Sequence, residues 1–389
     1  MNEPSNVAFF EPWYGGSHRA FADAWTARSR NRVEVIDLPA RHWKWRQEAS
    51  AWELAAKAND LQVPDVVACS AYVDLPRLMG FLPKRWRTLP TLCYFHENQL
   101  TYPRPAKESD RSSAERDLTH AFSNVLTAIR ADAVVFNSEF HRREFADAAN
   151  DWLRTLPRPN PRAQLERALA NATVVPPLPE LHAVPLGPGA PKGAPLCVAF
   201  PHRLEDDKDP LQFLAAVRRA LDGGARLTLA LFGGAPEAAS QEIRSALDAL
   251  GAVVERAGFV TSRAAYLEEL GRCDVVASTA RHEFFGVAFA EAMAAGCAPL
   301  ALDRANYRAL VGEAGAALEG AGIARDEADF ARRLTALAAR PEGARERTAR
   351  EAARGGVLGF DAAAAVGPLD DLVDALAGAG RARADRLEG

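Results

Sequence analysis

Two α/β domains, each built on a parallel sheet, are what the sequence predicts. Short apolar runs alternate with amphipathic stretches along most of the chain, which is the pattern of strand–helix–strand units. The runs are rich in Val, Phe and Leu with little polar alternation, as strands buried on both faces are. The pattern breaks at 176-PPLPELHAVPLGPGAPKGAP-195, with seven prolines and three glycines in twenty residues, and then restarts.

In the first half the predicted strands are NVAFFE (6–11), VEVIDL (33–38), DVVACS (65–70), TLCYF (91–95) and ADAVVFN (131–137). Helical patterns at 17–28, 47–59, 113–129 and 139–150 separate them. In the second half PLCVAF (195–200), RLTLALF (226–232), AVVERAGF (252–259), CDVVAST (273–279) and CAPLAL (297–302) repeat the theme. A last helical pattern near 361–377 is predicted to return to the first domain. The expected boundaries are 1–178 for an N-terminal domain, 179–195 for a linker, 196–358 for a second domain and 359–389 for a C-terminal helix and tail.

The chain has 389 residues, of which 48% are hydrophobic and 25% charged, enough apolar material for two cores. A net charge of −4 excludes nucleic-acid binding through overall charge, so a polyanion partner needs a local patch. Basic side chains do cluster in the first half, at 41-RHWKWR-46, 83-PKRWR-87, 141-HRR-143 and then Arg154, Arg158, Arg162 and Arg167. No run approaches the ~20 apolar residues of a membrane-spanning helix. The start, MNEPSNVAFFEPW, lacks the basic-then-apolar order of a secretion signal. A cytoplasmic protein with no membrane partner is expected. Its five cysteines, none in a CxxC pair, read as free thiols in a reducing compartment.

Three stretches of the second half carry chemistry. In 200-FPHRLEDDKDP-210, directly after a strand, Arg203 and Lys208 sit where open α/β sheets bind ligands. A guanidinium fork and an ammonium point charge there suit a diphosphate; equally, the four acids of the same loop would neutralise them in a solvated turn. Asp207 and Asp209 spell a DxD metal pattern, but a lysine fills the gap, and no metal is expected. In 229-LALFGGAP-236, Gly233 and Gly234 end a strand and permit close backbone approach. In 281-RHEFFGVAFAEAMAAG-296, a helix is predicted to begin near Gly286, with free amides that favour a phosphate. Glu283 precedes that helix and Glu291 lies about one and a half turns inside it. The pair suits sugar hydroxyls, or is one capping and one ordinary helix glutamate.

The combination of Arg203–x4–Lys208, LFGGAP and Glu283–x7–Glu291 resembles the family 4 glycosyltransferases. The resemblance implies the GT-B fold, with two Rossmann-like domains facing a cleft. It further implies a retaining, metal-independent transfer with no cofactor beyond the nucleotide-sugar donor. By this resemblance Arg203 and Lys208 neutralise the nucleotide diphosphate, Glu283 contacts the donor sugar and Glu291 the ribose. Gly15, Gly16, Gly233, Phe284, Phe285, Gly286 and Val287 complete the implied donor site.

The strings EPWYGGSH (11–18), LPARHWKWR (38–46), YFHENQLTYP (94–103), VVFNSEFH (134–141), PHRLEDDKDP (201–210) and STARHEFFGVAFAEA (278–292) are similar to the tRNA-queuosine mannosyltransferases. That narrower resemblance covers about residues 6–310, and departs from the family's PHRWEHDK at Leu204 and Asp206. It implies transfer of mannose from GDP-mannose to the queuosine in the anticodon loop of aspartate tRNA. The partners would then be a nucleotide sugar and a tRNA.

Acceptor-side residues come from the first domain. Ser17 is expected as a helix N-cap after Gly15–Gly16, with His18 beside it. His96, Glu97, Asn98 and Gln99 follow a strand directly and precede Tyr102, which sets four polar side chains at the sheet's carboxyl edge. By resemblance His96 is catalytic, touching the transferred sugar or the acceptor. Asn98 and Gln99 are expected to read the acceptor, with Asn137 and Ser138 after the next strand as weaker partners. Arg41, Trp43, Lys44, Trp45 and Arg46 interleave bases and aromatics, as an RNA loop's phosphates and nucleobases require; tryptophans buried in a core are the competing reading. The stretch 104–116 is expected to close over an acceptor. Other readings stay open: a family 4 transferase with another donor and a small-molecule, lipid or glycan acceptor, a sugar-nucleotide epimerase, and a noncatalytic RNA-binding protein on the same scaffold.

Overall fold

The structure is a computed structural model that describes residues 3–103, 111–234 and 236–388. The chain forms two compact units, Met1–Pro179 with Ala362–Gly389, and Glu180–Asp361. The Pro-rich stretch is therefore part of the second unit beyond Pro179, and not a linker of its own. Leu181 and Val184 are buried in that unit's core, because a proline-stiffened extended segment can still lay apolar side chains on a neighbouring sheet.

The first unit's strands are β1 (Asn6–Tyr14), β2 (Arg32–Pro39), β3 (Val66–Ser70), β4 (Thr91–Phe95), β5 (Ala133–Phe136) and β6 (Thr173–Val174). They lie in the order β2-β1-β3-β4-β5-β6, all parallel. Alternate residues of β1 feed opposite faces. Ala8 and Phe10 pack with Leu54 and Trp86, while Val7 and Phe9 pack with Phe21 and Trp25 of the helix Gly16–Arg28. The helix Ala362–Glu388 closes this second face through Ala362, Ala365, Val366, Leu369, Val373 and Ala377, a helical stripe. It is tied down by Asp370, which accepts from Ser29 Oγ (2.5 Å) and the Arg30 amide (2.9 Å). The chain thus returns to the first unit at its end, as expected.

The second unit holds β7 (Leu196–Phe200), β8 (Leu227–Leu231), β9 (Val254–Ala257), β10 (Val275–Ser278), β11 (Ala298–Leu302) and β12 (Gly322–Ala324). Their order is β12-β11-β10-β7-β8-β9, again parallel. Both sheets reverse direction of build-up at one point, between β1 and β3 in the first and between β7 and β10 in the second. Crevices at the carboxyl ends of such strands are where α/β sheets bind ligands. No described helix is long and apolar enough to cross a membrane. The five cysteines are free thiols, four of them buried.

Candidate active site

In the second unit the switch point gathers the loops after β7 and β10. Lys208 ends a short 3-10 turn, and its ammonium meets Asp207 Oδ2 (3.0 Å), Glu283 Oε2 (3.0 Å) and the His282 carbonyl (2.9 Å). Burial lowers the tendency of Lys208 to hold its proton, but the two carboxylates outweigh it and raise its pKa. Arg203 is half exposed and pairs with Glu205 at 3.1 Å. Asp209 adopts a left-handed conformation at the N-cap of the helix Pro210–Asp222, and its carboxylate receives Arg281 (2.8 Å) and Arg304 (3.3 Å). Both carboxylates of the DxD string are thus engaged by cations. Buried His202, beside them, is held down to about 3 by desolvation and by the Lys208 charge.

Gly286 begins the helix Val287–Ala294 from a left-handed φ of 99°, a conformation open to glycine at little cost. A Cβ there would stand 3.0 Å from Leu310 Cδ1. Inside the helix, buried Glu291 binds Arg263 Nη2 at 2.6 Å. Phe284 and Phe285 have buried side chains, so they offer a ligand main chain only, and Val287 is half-buried. Gly233 lets its own chain approach closely. A Cβ there would overlap the His202 carbonyl at 1.7 Å, so the glycine is required by the loop that carries Arg203. Arg263 has no local sequence signal, because its partner lies 28 positions away.

In the first unit the switch point brings together the ends of β1, β3 and β4. Gly15 caps the helix Gly16–Arg28, and a Cβ on it would meet Ala40 Cβ at 2.5 Å; Gly16 has φ 54°. Ser17 lies inside the first turn and is exposed, so it is not the N-cap expected from the sequence. His18 is buried against Glu11, a residue the motif reading missed. The detectable signal was a glutamate at the end of an otherwise apolar strand, seven residues before a histidine.

His96 is buried at the end of β4. The polar side chains after it divide in role. Asn98 Oδ1 accepts from the amides of Leu100 (3.0 Å) and Thr101 (2.9 Å), and its amide nitrogen binds Thr101 Oγ1 (3.0 Å). Asn137 donates to the His96 carbonyl (2.8 Å) and joins His141 Nδ1 (2.9 Å), while Ser138 caps the helix Glu139–Thr155. Asn98, Asn137 and Ser138 therefore shape the loop that presents His96. Short polar side chains next to a turn find local backbone partners first. Glu97, Gln99 and Tyr102 remain half-buried at the edge, with Gln99 donating to Glu97 at 3.2 Å.

Glu11, His18 and His96 place ligand-type atoms within 4.8 Å of one another, a trio of metal-ligating residue types. The imidazoles stack at 4.1 Å with planes 33° apart. Glu11 Oε2 and His18 Nδ1 lie 3.1 Å apart, the distance of an ion pair when the ring is protonated.

The RHWKWR stretch opens the helix Trp43–Lys57. Trp45 is 58% exposed and Trp52, one heptad on, 60% exposed, so neither is a core tryptophan. Trp43 is marginally exposed with Lys44 over its ring at 5.2 Å, and Arg41 is exposed. Arg46 is buried and bound to Glu53 at 2.6 Å, unlike its exposed neighbours Arg41 and Trp45. An open groove of about 980 Å³ is lined by Arg154, Arg158, Asn160, Arg162 and Glu166. Of the stretch expected to close over an acceptor, 104–110 lies outside the described residues, and the helix Arg111–Arg130 begins directly after it.

Residues 6–179 match the family model described as tRNA-queuosine alpha-mannosyltransferase N-terminal, and residues 189–355 the one described as glycosyl transferases group 1. The tRNA-queuosine alpha-mannosyltransferase of Drosophila melanogaster is 29% identical over 311 residues, spanning 78% of this chain and 80% of the fly protein. Among solved structures, sucrose-phosphate synthase from Thermosynechococcus elongatus superimposes with a TM-score of 0.66 at 16% identity, covering 96% of this chain and 100% of its own. Anabaena HepE, solved with UDP and glucose, gives 0.62 at 14% identity, covering 95% and 100%. The Candida albicans trehalose-6-phosphate phosphatase N-terminal domain gives 0.68 at 9%, covering 96% and 97%. At such identities the likeness is one of fold, and that fold is GT-B.

Proposed function

We propose that this glycosyltransferase, whose residues 6–179 match the tRNA-queuosine alpha-mannosyltransferase N-terminal model and whose residues 189–355 match the glycosyl transferases group 1 model, moves mannose from GDP-mannose to the queuosine of a tRNA with retention of configuration. The observation that carries the donor half is the Lys208–Glu283 pair, 3.0 Å long, at the second sheet's switch point. A cation and a carboxylate side by side there match a substrate with a diphosphate next to a sugar. The ammonium faces departing charge, and the carboxylate takes sugar hydroxyls.

Arg203, half exposed on the same loop, swings from Glu205 to the diphosphate when the donor binds. The first amides of the helix after Gly286 face the same charge. Glu291, oriented by Arg263, takes the ribose. The transfer needs no metal, since Asp207 and Asp209 are already committed to Lys208, Arg281 and Arg304. The acceptor is held at the first sheet's switch point by His18, His96, Glu97 and Gln99. The nucleobases of the loop stack on Trp45 and Trp52, and the RNA backbone follows the Arg154–Arg158–Arg162 groove. With tRNA as its substrate, the reaction belongs to the cytoplasm.

The decisive experiment offers purified protein queuosine-containing tRNA and a panel of nucleotide sugars, and reads the nucleoside mass. Hexose on queuosine with GDP-mannose alone is the expected result. No hexose with any donor defeats the reading, and hexose from another donor corrects its donor half.

A further inference from the structure

Glu11 takes no part in the chemistry described so far, yet it is a fully buried carboxylate inside β1, just before the strand's register shift. Burying a charge is costly without compensation, and both of its oxygens are directed. Oε1 accepts the Trp13 amide at 2.9 Å, across the point where the β1 register shifts. Oε2 lies 3.1 Å from His18 Nδ1 and 4.0 Å from His96 Nε2. Each imidazole turns one nitrogen toward the same oxygen, which leaves His18 Nε2 and His96 Nδ1 turned away from it.

The stacked rings cannot both be charged beside one carboxylate without leaving a buried cation unpaired. Their surroundings separate them. Burial opposes charge on His18, but Glu11, and more weakly Glu97, outweigh it and raise its pKa. His96 is held well below the ordinary value by burial, then by the charges of His18 and His141. Tyr72 meets His18 edge-on at 6.1 Å, and burial keeps its phenol neutral. Neighbouring groups pushed apart in this way mark divided acid and base roles.

We propose that Glu11 is a positioning residue for the transfer reaction: its Oε2, 3.1 Å from His18 Nδ1 and 4.0 Å from His96 Nε2, fixes which nitrogens of the stacked rings face away from it, so that the pair presents a hydroxyl-bearing acceptor with one hydrogen-bond donor and one lone pair. A hydroxyl is itself one donor with acceptor lone pairs, so His18 Nε2–H and His96 Nδ1 satisfy it together and fix its direction. The inference rests on the reading of the chain as a transferase to a hydroxyl acceptor. It adds the residue that sets the polarity of the acceptor site.

The test combines histidine-labelled NMR of the full chain over pH, assigned with His18→Asn and His96→Asn, with the pH profile of transfer to tRNA. In the wild type His18 titrates above the ordinary ~6.5 and His96 stays neutral. Transfer holds below the His18 pKa and falls above it. Glu11→Gln removes the anion that raises His18, so the alkaline limb of kcat/KM moves acidward by about one unit or more. The KM for the nucleotide sugar stays unchanged. Should Glu11→Gln not fold, Glu11→Asp, shorter by one methylene, shifts the limb the same way. His18 titrating at or below the ordinary value overturns the inference, as does metal bound stoichiometrically by the trio. A wild type that transfers no sugar defeats the functional reading. A wild type that transfers sugar, with a superimposable Glu11→Gln profile, defeats only this inference.

Discussion

Replacing Lys208 by methionine removes one charge and keeps most of the side-chain volume. Two charges about 4 Å apart interact by about 4 kcal/mol at an effective dielectric of 20, and each ~1.36 kcal/mol is tenfold in rate. The gross effect of losing Lys208 from a departing diphosphate is therefore about 10³-fold. Part of it is offset. Asp207 and Glu283, each 3.0 Å from the ammonium, already neutralise part of the charge it presents to the phosphate. A fall of about 10²–10³ in kcat remains. Stability falls as well, by about 1–3 kcal/mol, less than for a fully buried pair because Glu283 is partly exposed. The assay is nucleoside-diphosphate release and tRNA nucleoside mass at saturating donor, with chemical denaturation in parallel. Its pH dependence carries a sign. A raised lysine pKa gives stability that is present below ~10.4 and lost as pH rises through the folded value. The Lys208 contribution is thus constant across neutral pH. Lys208→Met within tenfold of wild type at saturating donor would falsify the assignment of Lys208 to the diphosphate.

Trp45→Ala with Trp52→Ala lowers affinity for the tRNA by about 1–3 kcal/mol per stacked base and leaves the KM for the nucleotide sugar alone; unchanged affinity by filter binding removes the stacking platform. Charge-neutral replacement of Arg154, Arg158 and Arg162 flattens the salt dependence of tRNA binding by about 0.7–0.9 for each phosphate the arginines neutralise, and an unaltered slope shows that the groove meets no backbone. Glu291→Gln weakens donor binding and frees Arg263. Donor affinity equal to wild type by calorimetry refutes a ribose contact. Arg350, buried with its guanidinium on the carbonyls of Gly187, Gly271, Cys273 and Ala295, is structural; Arg350→Met leaves those carbonyls without their charged donor and costs at least about 4 kcal/mol by denaturant midpoint.

The parallel strands were legible because burial on both faces leaves an unbroken apolar run, and ten of the twelve among the described residues appear within a few residues of their predicted positions. β6 and β12 escaped, being two and three residues long. The helix Leu75–Phe81 also escaped: at seven residues it is too short for a helical period, although Asp74 and Pro76 mark its start. Polar residues were harder to read, because a side chain's role depends on what it meets first. Asn98 and Gln99 are adjacent and equally polar, yet Asn98 is consumed by its own turn while Gln99 remains at the edge. The shorter side chain reaches its own backbone.

The same principle explains the carboxylates. Glu283 and Glu291 stand in an apolar stretch, where an unpaired charge is untenable, and each has a cation, Lys208 and Arg263. Lys208 was legible because a motif names it. Arg263 was not, since nothing local ties it to position 291. Glu11 extends the rule to the other sheet, where the partner is a histidine, whose charge is conditional. An arginine or lysine partner settles a carboxylate at every physiological pH. A histidine partner makes the pair respond to pH and to any substrate that touches the ring. On the proposed function, the donor side is built from permanent charges, as a diphosphate of fixed charge demands, and the acceptor side from a switchable one, as suits a neutral hydroxyl that must be oriented and then give up its proton.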